Sequence, residues 1–183
     1  MANGIFLRFI DYQGASATVY GESVVKGMAG SIEALSFSLD VEQTLNIGSQ
    51  SSGAGAGKVS FGDIQFTKNV DSTSGALFGA ACAGRPFKEV DVTFTRPDGS
   101  PSALLRLGLV AVKSIGLAMA ATTAPLIETV TLNCGSQVWV LPPNPTVPRG
   151  AANPSLAPQS LPAGLTNAVG WDRVHNASIQ QIT

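Results

Sequence analysis

Charge is scarce in this chain. Asp, Glu, Lys and Arg make up 13% of its 183 residues, about half the usual quarter. A soluble monomer normally stays dispersed by covering its surface with charge. A surface this poor in charge points to burial against other copies. A small monomer coated in Ser, Thr and Gly is the alternative that composition alone leaves open. The net charge is −1, and no run of Lys or Arg builds the basic footprint of a nucleic-acid or anionic-lipid binder. The start of the chain has no basic region, and Arg8 and Asp11 interrupt its short apolar stretch, so it does not read as a secretory signal. One long uncharged and largely apolar stretch of the core region, residues 114–127, carries Ser, Thr and Pro and falls short of the ~18 apolar residues of a membrane span.

The residue types that carry catalysis are scarce too. His175 is the only histidine, and it lies in a proline-rich tail. A Ser or Cys nucleophile needs a positioned base, and His175 is far in sequence from both cysteines. Cys82 and Cys134 read as reduced, buried small hydrophobes. A tightly bound zinc needs three or four Cys or His ligands, so no metal or other cofactor is expected. Residues 53–59 suggest a phosphate loop, but Ser52 stands where the motif needs Gly and Val59 where it needs Ser or Thr. A strand follows, so no helix amino terminus would face an anion. Asp63 and Asp71, and likewise Asp40 and Glu42, read as solvated or capping carboxylates and not as an acid–base pair. The sequon Asn176-Ala-Ser178 carries little weight without an export signal. No catalytic residue is assigned, and the chain is not expected to be an enzyme.

What is abundant is alternation. Period-two patterning, the mark of half-buried strands, runs through most of residues 1–141. Ile5, Leu7 and Phe9 share one strand face, and Leu35, Phe37, Leu39 and Val41 share a second. Residues 59–66 form a third strand, and Val90, Val92 and Phe94 mark a fourth. A Pro-Asp-Gly-Ser-Pro turn at 97–101 leads into a strand over 103–113 with Leu105, Leu107 and Leu109 in register. Two more strands, 127–133 and 137–141, flank Cys134-Gly-Ser136. Many short strands in one chain favour a barrel or sandwich. Residues 71–84 break the pattern: Asp and Ser open the segment, small apolar residues fill it and Gly84 closes it. They predict one short α-helix over 73–83, with Leu77, Phe78, Ala81 and Cys82 as its buried stripe.

Two regions stand apart. Residues 45–57 form an uncharged Gly- and Ser-rich loop between strands, long enough to be functional. Residues 142–183 hold seven of the eleven prolines and only Arg149, Asp172 and Arg173 as charged groups. The domain boundary therefore falls near Leu141. The tail ends in a spaced apolar set that includes Leu165, Val169, Trp171, Val174, Ile179 and Ile182. It reads as an extended segment whose Trp171, Val174, Ile179 and Ile182 dock on a neighbouring subunit, since a host surface supplies both apolar contact and backbone partners.

Three stretches resemble the haemolysin-coregulated proteins (Hcp), the tube proteins of type VI secretion systems, in the same order and at similar spacing. They are Gly21-Glu-Ser23 followed by Gly30-Ser-Ile-Glu-Ala-Leu-Ser-Phe-Ser38, then the strand-to-helix run at 57–77 with its Lys68 and Asp71, then Ile127-Glu-Thr-Val-Thr-Leu132 with Gln137-Val-Trp139 behind it. The resemblance covers residues 4–141. It implies a mainly β fold: a compact β-barrel tube domain with one short flanking α-helix, here followed by the proline-rich extension. It also implies homohexameric rings stacked head to tail into the inner tube, with sheath and spike proteins as partners and small effector proteins in the lumen. Such a protein is made in the cytoplasm and secreted through the apparatus without a signal peptide. Leu45, Asn46, Ile47, Gly48, Ser49 and Gln50 would then belong to the extended loop that contacts the neighbouring ring. The tube protein of a phage tail or another contractile injection system shares this architecture and is the alternative.

Overall fold

A computed structural model describes residues 3–12, 14–43, 59–141, 167–175 and 177–179. Ten strands and one helix follow in the order β1 (Gly4–Asp11), β2 (Gly14–Val19), β3 (Ile32–Ala34), β4 (Ser36–Gln43), β5 (Val59–Asn69), α1 (Ser74–Ala83), β6 (Phe87–Thr95), β7 (Pro101–Ala118), β8 (Ile127–Leu141), β9 (Asn167–Asp172) and β10 (Ala177–Ile179). The fold is mainly β, with one short helix, as the alternation predicts.

Every ladder is antiparallel. The main path of the sheet is β10-β9-β8-β7-β6-β1-β2, β3 joins β1, and β4 reaches the path through β5 and β8. β3 pairs with Ile5–Leu7 of β1, while β4 pairs with β5. Only Leu35, whose amide donates to the Thr67 carbonyl at 2.7 Å, stands between those two strands. The hydrogen-bonded path is thus open, and closure into the expected barrel would have to pass through Leu35.

Alternation places the core. Leu7 and Phe9 of β1, Ile64 and Phe66 of β5, Val90 and Val92 of β6, and Leu105 and Leu107 of β7 are fully buried in one cluster with Leu77 of the helix. Each such side chain contributes ~1.5–3 kcal/mol of burial. Phe9 sits at its centre, edge-on to Phe87 at 5.0 Å and tilted to Phe66 at 6.2 Å. Phe94 links Phe37 and Trp139 in a second aromatic group.

The structure corrects the sequence reading at four points. Cys134-Gly-Ser136 does not separate two strands, because β8 runs unbroken from Ile127 to Leu141. Leu109 does not join Leu105 and Leu107 in the core. It is half exposed, with a left-handed backbone at φ 49°. Leu35 and Val41 are exposed, while only Phe37 and Leu39 of their set reach the core. The helix ends at Gly84 in the expected left-handed cap, φ 60°, but its buried residues are Leu77 and Ala80, with Ala81 partly buried. Phe78 and Cys82 are exposed. At about 100° per residue, Leu77, Ala80 and Ala81 share a narrow stripe against β7, and Phe78 and Cys82 fall on the flank.

Candidate assembly surface

The surface is built on a buried cation. β5 points Ile64, Phe66 and Lys68 to the same inward side, and all three are fully buried. A buried ammonium is tolerated only with partners. Lys68 Nζ donates to Asp71 Oδ1 at 2.7 Å, to Ser74 Oγ at 2.9 Å and to the Asn69 carbonyl at 3.1 Å, and it lies 2.9 Å from Glu128 Oε2. Ser74 Oγ also donates to Glu128, and Asp71 Oδ1 accepts the Thr73 amide at 2.8 Å. One residue thereby fixes the end of β5, the start of α1 and the strand β8. Burial pushes the Asp71 carboxyl up, but hydrogen bonds from Lys68 and Thr73 outweigh it and hold the group below its ordinary value.

On the neighbouring strands, Arg106 grips Asp91 through Nε at 2.7 Å and a second guanidinium nitrogen at 2.9 Å, with Glu89 at 3.2 Å. Burial first and Asp91 second raise the Glu89 carboxyl. Both charge groups tie strands together. Among the described residues, no set of three His, Cys, Asp or Glu side chains could hold a metal ion, and no helix is long and apolar enough to cross a membrane.

The far part of the tail rejoins the sheet. β9 pairs with Ser136–Leu141 of β8, setting Trp171 opposite Gln137 and Asn167 opposite Leu141, and β10 pairs with β9. Arg173, in the turn between them, locks this hairpin down. Its amide donates to the Gly135 carbonyl at 2.7 Å, its guanidinium donates to the Cys134 carbonyl at 2.8 Å and to Asn133 Oδ1 at 2.9 Å, and the same group lies 5.1 Å over the Phe61 ring. Asp172 Oδ1 closes the turn by accepting the Val174 and His175 amides.

Of the expected docking residues, Trp171 is half-buried, with its indole N–H unpartnered among the described residues, and Val174 is exposed at the turn. Ile179 ends β10, and Ile182 lies outside the described residues. In the single chain the host strand is the chain's own β8. The loop residues Leu45, Asn46, Ile47, Gly48, Ser49 and Gln50 also lie outside the described residues. The arm that leads to them does not: β4 and β5 stay paired out to Gln43 and Val59. Sequence reasoning missed Arg173, and it placed Lys68 in a motif without recognising its burial. The parity Ile64, Phe66, Lys68 was the available signal for that burial.

Large apolar side chains remain exposed on several elements: Phe78 on the helix, Leu117 and Met119 at the end of β7, and Leu126 just before β8. With charge at 13% of residues, such a surface suits contact with other protein more than solvent.

Comparison with known proteins agrees with this geometry. The family model described as "Type VI secretion system effector, Hcp" matches residues 9–139. No curated protein matches the chain. Among solved structures, one described as a type six secretion system protein superposes with a TM-score of 0.77 at 20% identity, covering 97% of this chain and 100% of its own. Hcp1 from Salmonella typhimurium covers 98% and 100% with a TM-score of 0.69 at 20% identity. Hcp1 from the E. coli EAEC 042 pathovar covers 75% and 91% with a TM-score of 0.65 at 22% identity. The first two alignments extend into the tail.

Proposed function

The chain belongs to the Hcp family of type VI secretion systems, and from that membership we propose that it is a structural subunit of the secretion tube. In this reading the strands close into a barrel through Leu35, six copies form a ring, and rings stack head to tail around a lumen that carries small effector proteins. Sheath and spike proteins are the other partners, and the subunit leaves the cell through the apparatus itself. The arm formed by β4 and β5 holds out the loop at Leu45–Gln50 toward the adjacent ring, and the end of the tail stiffens the assembled subunit.

The observation that carries this reading is the family match over residues 9–139. A charge-poor surface with exposed Phe78, Leu117 and Met119 supports it, because a subunit surrounded by copies of itself buries such groups. Electron microscopy of the purified protein tests it. End-on views should show six-fold rings with an open centre, and a field of compact particles with no central hole would overturn it.

A further inference from the structure

The sheet has a second buried face. One row across its strands, Leu7, Val92, Leu105 and Trp139, looks into the core. The rows on either side of it look outward. They run Phe6-Thr93-Leu104-Val140 and Arg8-Asp91-Arg106-Val138. The outward face of an antiparallel sheet is commonly solvated. Here Val140 is 0% exposed, Leu104 1%, Val138 5% and Phe6 6%, although none of the four belongs to the core cluster. Burial on this side requires another layer above the sheet.

The loop at Gly27 and Met28 supplies that layer at the β1 end, where it lines a small hollow with Phe6 and Leu104. At the β8 end, β9 sets Ala168 opposite Val140 and Gly170 opposite Val138. These are the two smallest residue types, and a glycine cannot shield the valine beside it. Residues 142–166 begin and end at this point, because Leu141 and Asn167 are directly paired. They hold seven prolines together with Val147, Leu156, Leu161 and Leu165, and Arg149 is their single charge. A segment so poor in charge suits burial more than solvent. Proline has no N–H to strand against an apolar face, and it favours an extended path without internal hydrogen bonds. Reach is ample. Half the segment at ~3.1 Å per residue exceeds the ~14 Å from β8 to β1, three strand spacings of ~4.8 Å.

We propose that residues 142–166 of the same chain lie across this outward face and cover Val138 and Val140 as a third layer. The burial is present in a single chain, so no second copy is required, and the inference stands apart from the ring reading. A segment held in this way is part of the subunit wall and not a free arm that recruits another protein.

Disulfide mapping of the full-length protein tests this. In a Cys82→Ala, Cys134→Ala background, Val138→Cys or Val140→Cys is combined with Val147→Cys, Leu156→Cys, Leu161→Cys or Leu165→Cys, or with Ile182→Cys as a probe of the chain end. Oxidation should link at least one of the first four within a chain, read as a joined peptide in a digest of the monomer band. Links found only between chains would overturn the same-chain assignment. No link from any pair, or a link to Ile182→Cys alone, would overturn the segment as the cover.

Thiol labelling gives an independent reading. Val140→Cys in the same background should react with Ellman's reagent at least a hundredfold more slowly than it does when residues 142–166 are replaced by Asn-Gly, a two-residue turn that fits the Leu141–Asn167 pair. Val92→Cys, on the core face, should stay slow in both chains. A shortened chain that also exposes Val92→Cys has unfolded, and the disulfide map then decides. Fast labelling of Val140→Cys in the full-length protein, or equal slow rates in both chains, would contradict the proposal.

Discussion

Leu109 and Gly135 face each other across the β7–β8 hairpin, and at this pair the inward face of both strands changes parity. On β7 the core residues are Leu105 and Leu107 before it and Val110 and Val112 after it; on β8 they are Val130, Leu132 and Cys134, and beyond it the partly buried Trp139 packs against them. The flanking pairs Gly108–Ser136 and Val110–Cys134 keep one register, so the inversion is a backbone twist and not a slip. Leu109 takes it up with a left-handed φ of 49°. Gly135 makes room for it: a Cβ there would lie 3.3 Å from Leu109 Cβ and 3.4 Å from Val174 Cγ2.

A left-handed leucine costs ~1–2 kcal/mol. Leu109→Gly should therefore leave stability unchanged or raise it by up to ~1 kcal/mol, after the larger unfolded-state entropy of glycine is subtracted. Leu109→Ala keeps the strain and loses the packing, and should lower stability by ~1 kcal/mol. Urea unfolding at fixed protein concentration compares them. If the glycine variant is the weaker of the two, Leu109 is not strained.

Lys68 gives a larger effect. Lys68→Met leaves Asp71 and Glu128 facing each other without their cation, and breaking a buried pair in this way costs ~3–5 kcal/mol. Adding Asp71→Asn and Glu128→Gln removes the stranded charges and should restore part of the loss. A drop under ~1 kcal/mol for Lys68→Met would mean that the cluster does not hold β5, α1 and β8 together.

Acid should act through Asp71. Its carboxyl titrates below the ordinary 3.8 in the folded chain, so the unfolded chain binds that proton more readily. The contribution is complete above about that pH and is lost as pH falls through the lower folded value. Unfolding temperature measured from pH 6 down to pH 2 should fall less steeply in Asp71→Asn than in the parent. Parallel curves would remove Asp71 as a source of acid sensitivity.

Arg173 should govern the tail. Arg173→Ala deletes two guanidinium hydrogen bonds and the contact with Phe61, worth ~1–3 kcal/mol together. Hydrogen exchange in residues 167–179 should speed up at least tenfold while β6 and β7 keep their protection. Unchanged protection in the tail would show that the β8–β9 ladder alone secures it.

The Leu45–Gln50 loop bears on stacking. Leu45→Asp with Ile47→Asp places charges where a neighbouring ring would desolvate them, so single rings should survive and tubes should not. Tubes as long as those of the parent would exclude the loop from the ring-to-ring contact.

Much of this fold was legible from the alternation of apolar residues. Ile5, Leu7 and Phe9, or Val90, Val92 and Phe94, share a face because a regular strand has a period of two. The same rule misplaced Leu109, since one left-handed residue shifts the parity and nothing about a leucine announces it. The end signals, Asp71 and Ser72 before it and Gly84 after it, located α1, but helical spacing misjudged its stripe, because a face so short of polar residues gives no contrast between inside and outside. Trp171 stood out as an anchor, yet its partner strand was hidden. Residues 142–166 separate Asn167 from Leu141, which it pairs with, and sequence distance carries no register across such a gap. Lys68 was readable in principle, since its parity with Ile64 and Phe66 turns it inward.

Native mass spectrometry of the purified full-length protein at micromolar concentration tests the central claim most directly. Obligate interfaces of roughly 2,000 Å² or more predict the hexamer as the main species, with multiples of it where rings stack. A monomer that persists throughout that concentration range would contradict the account.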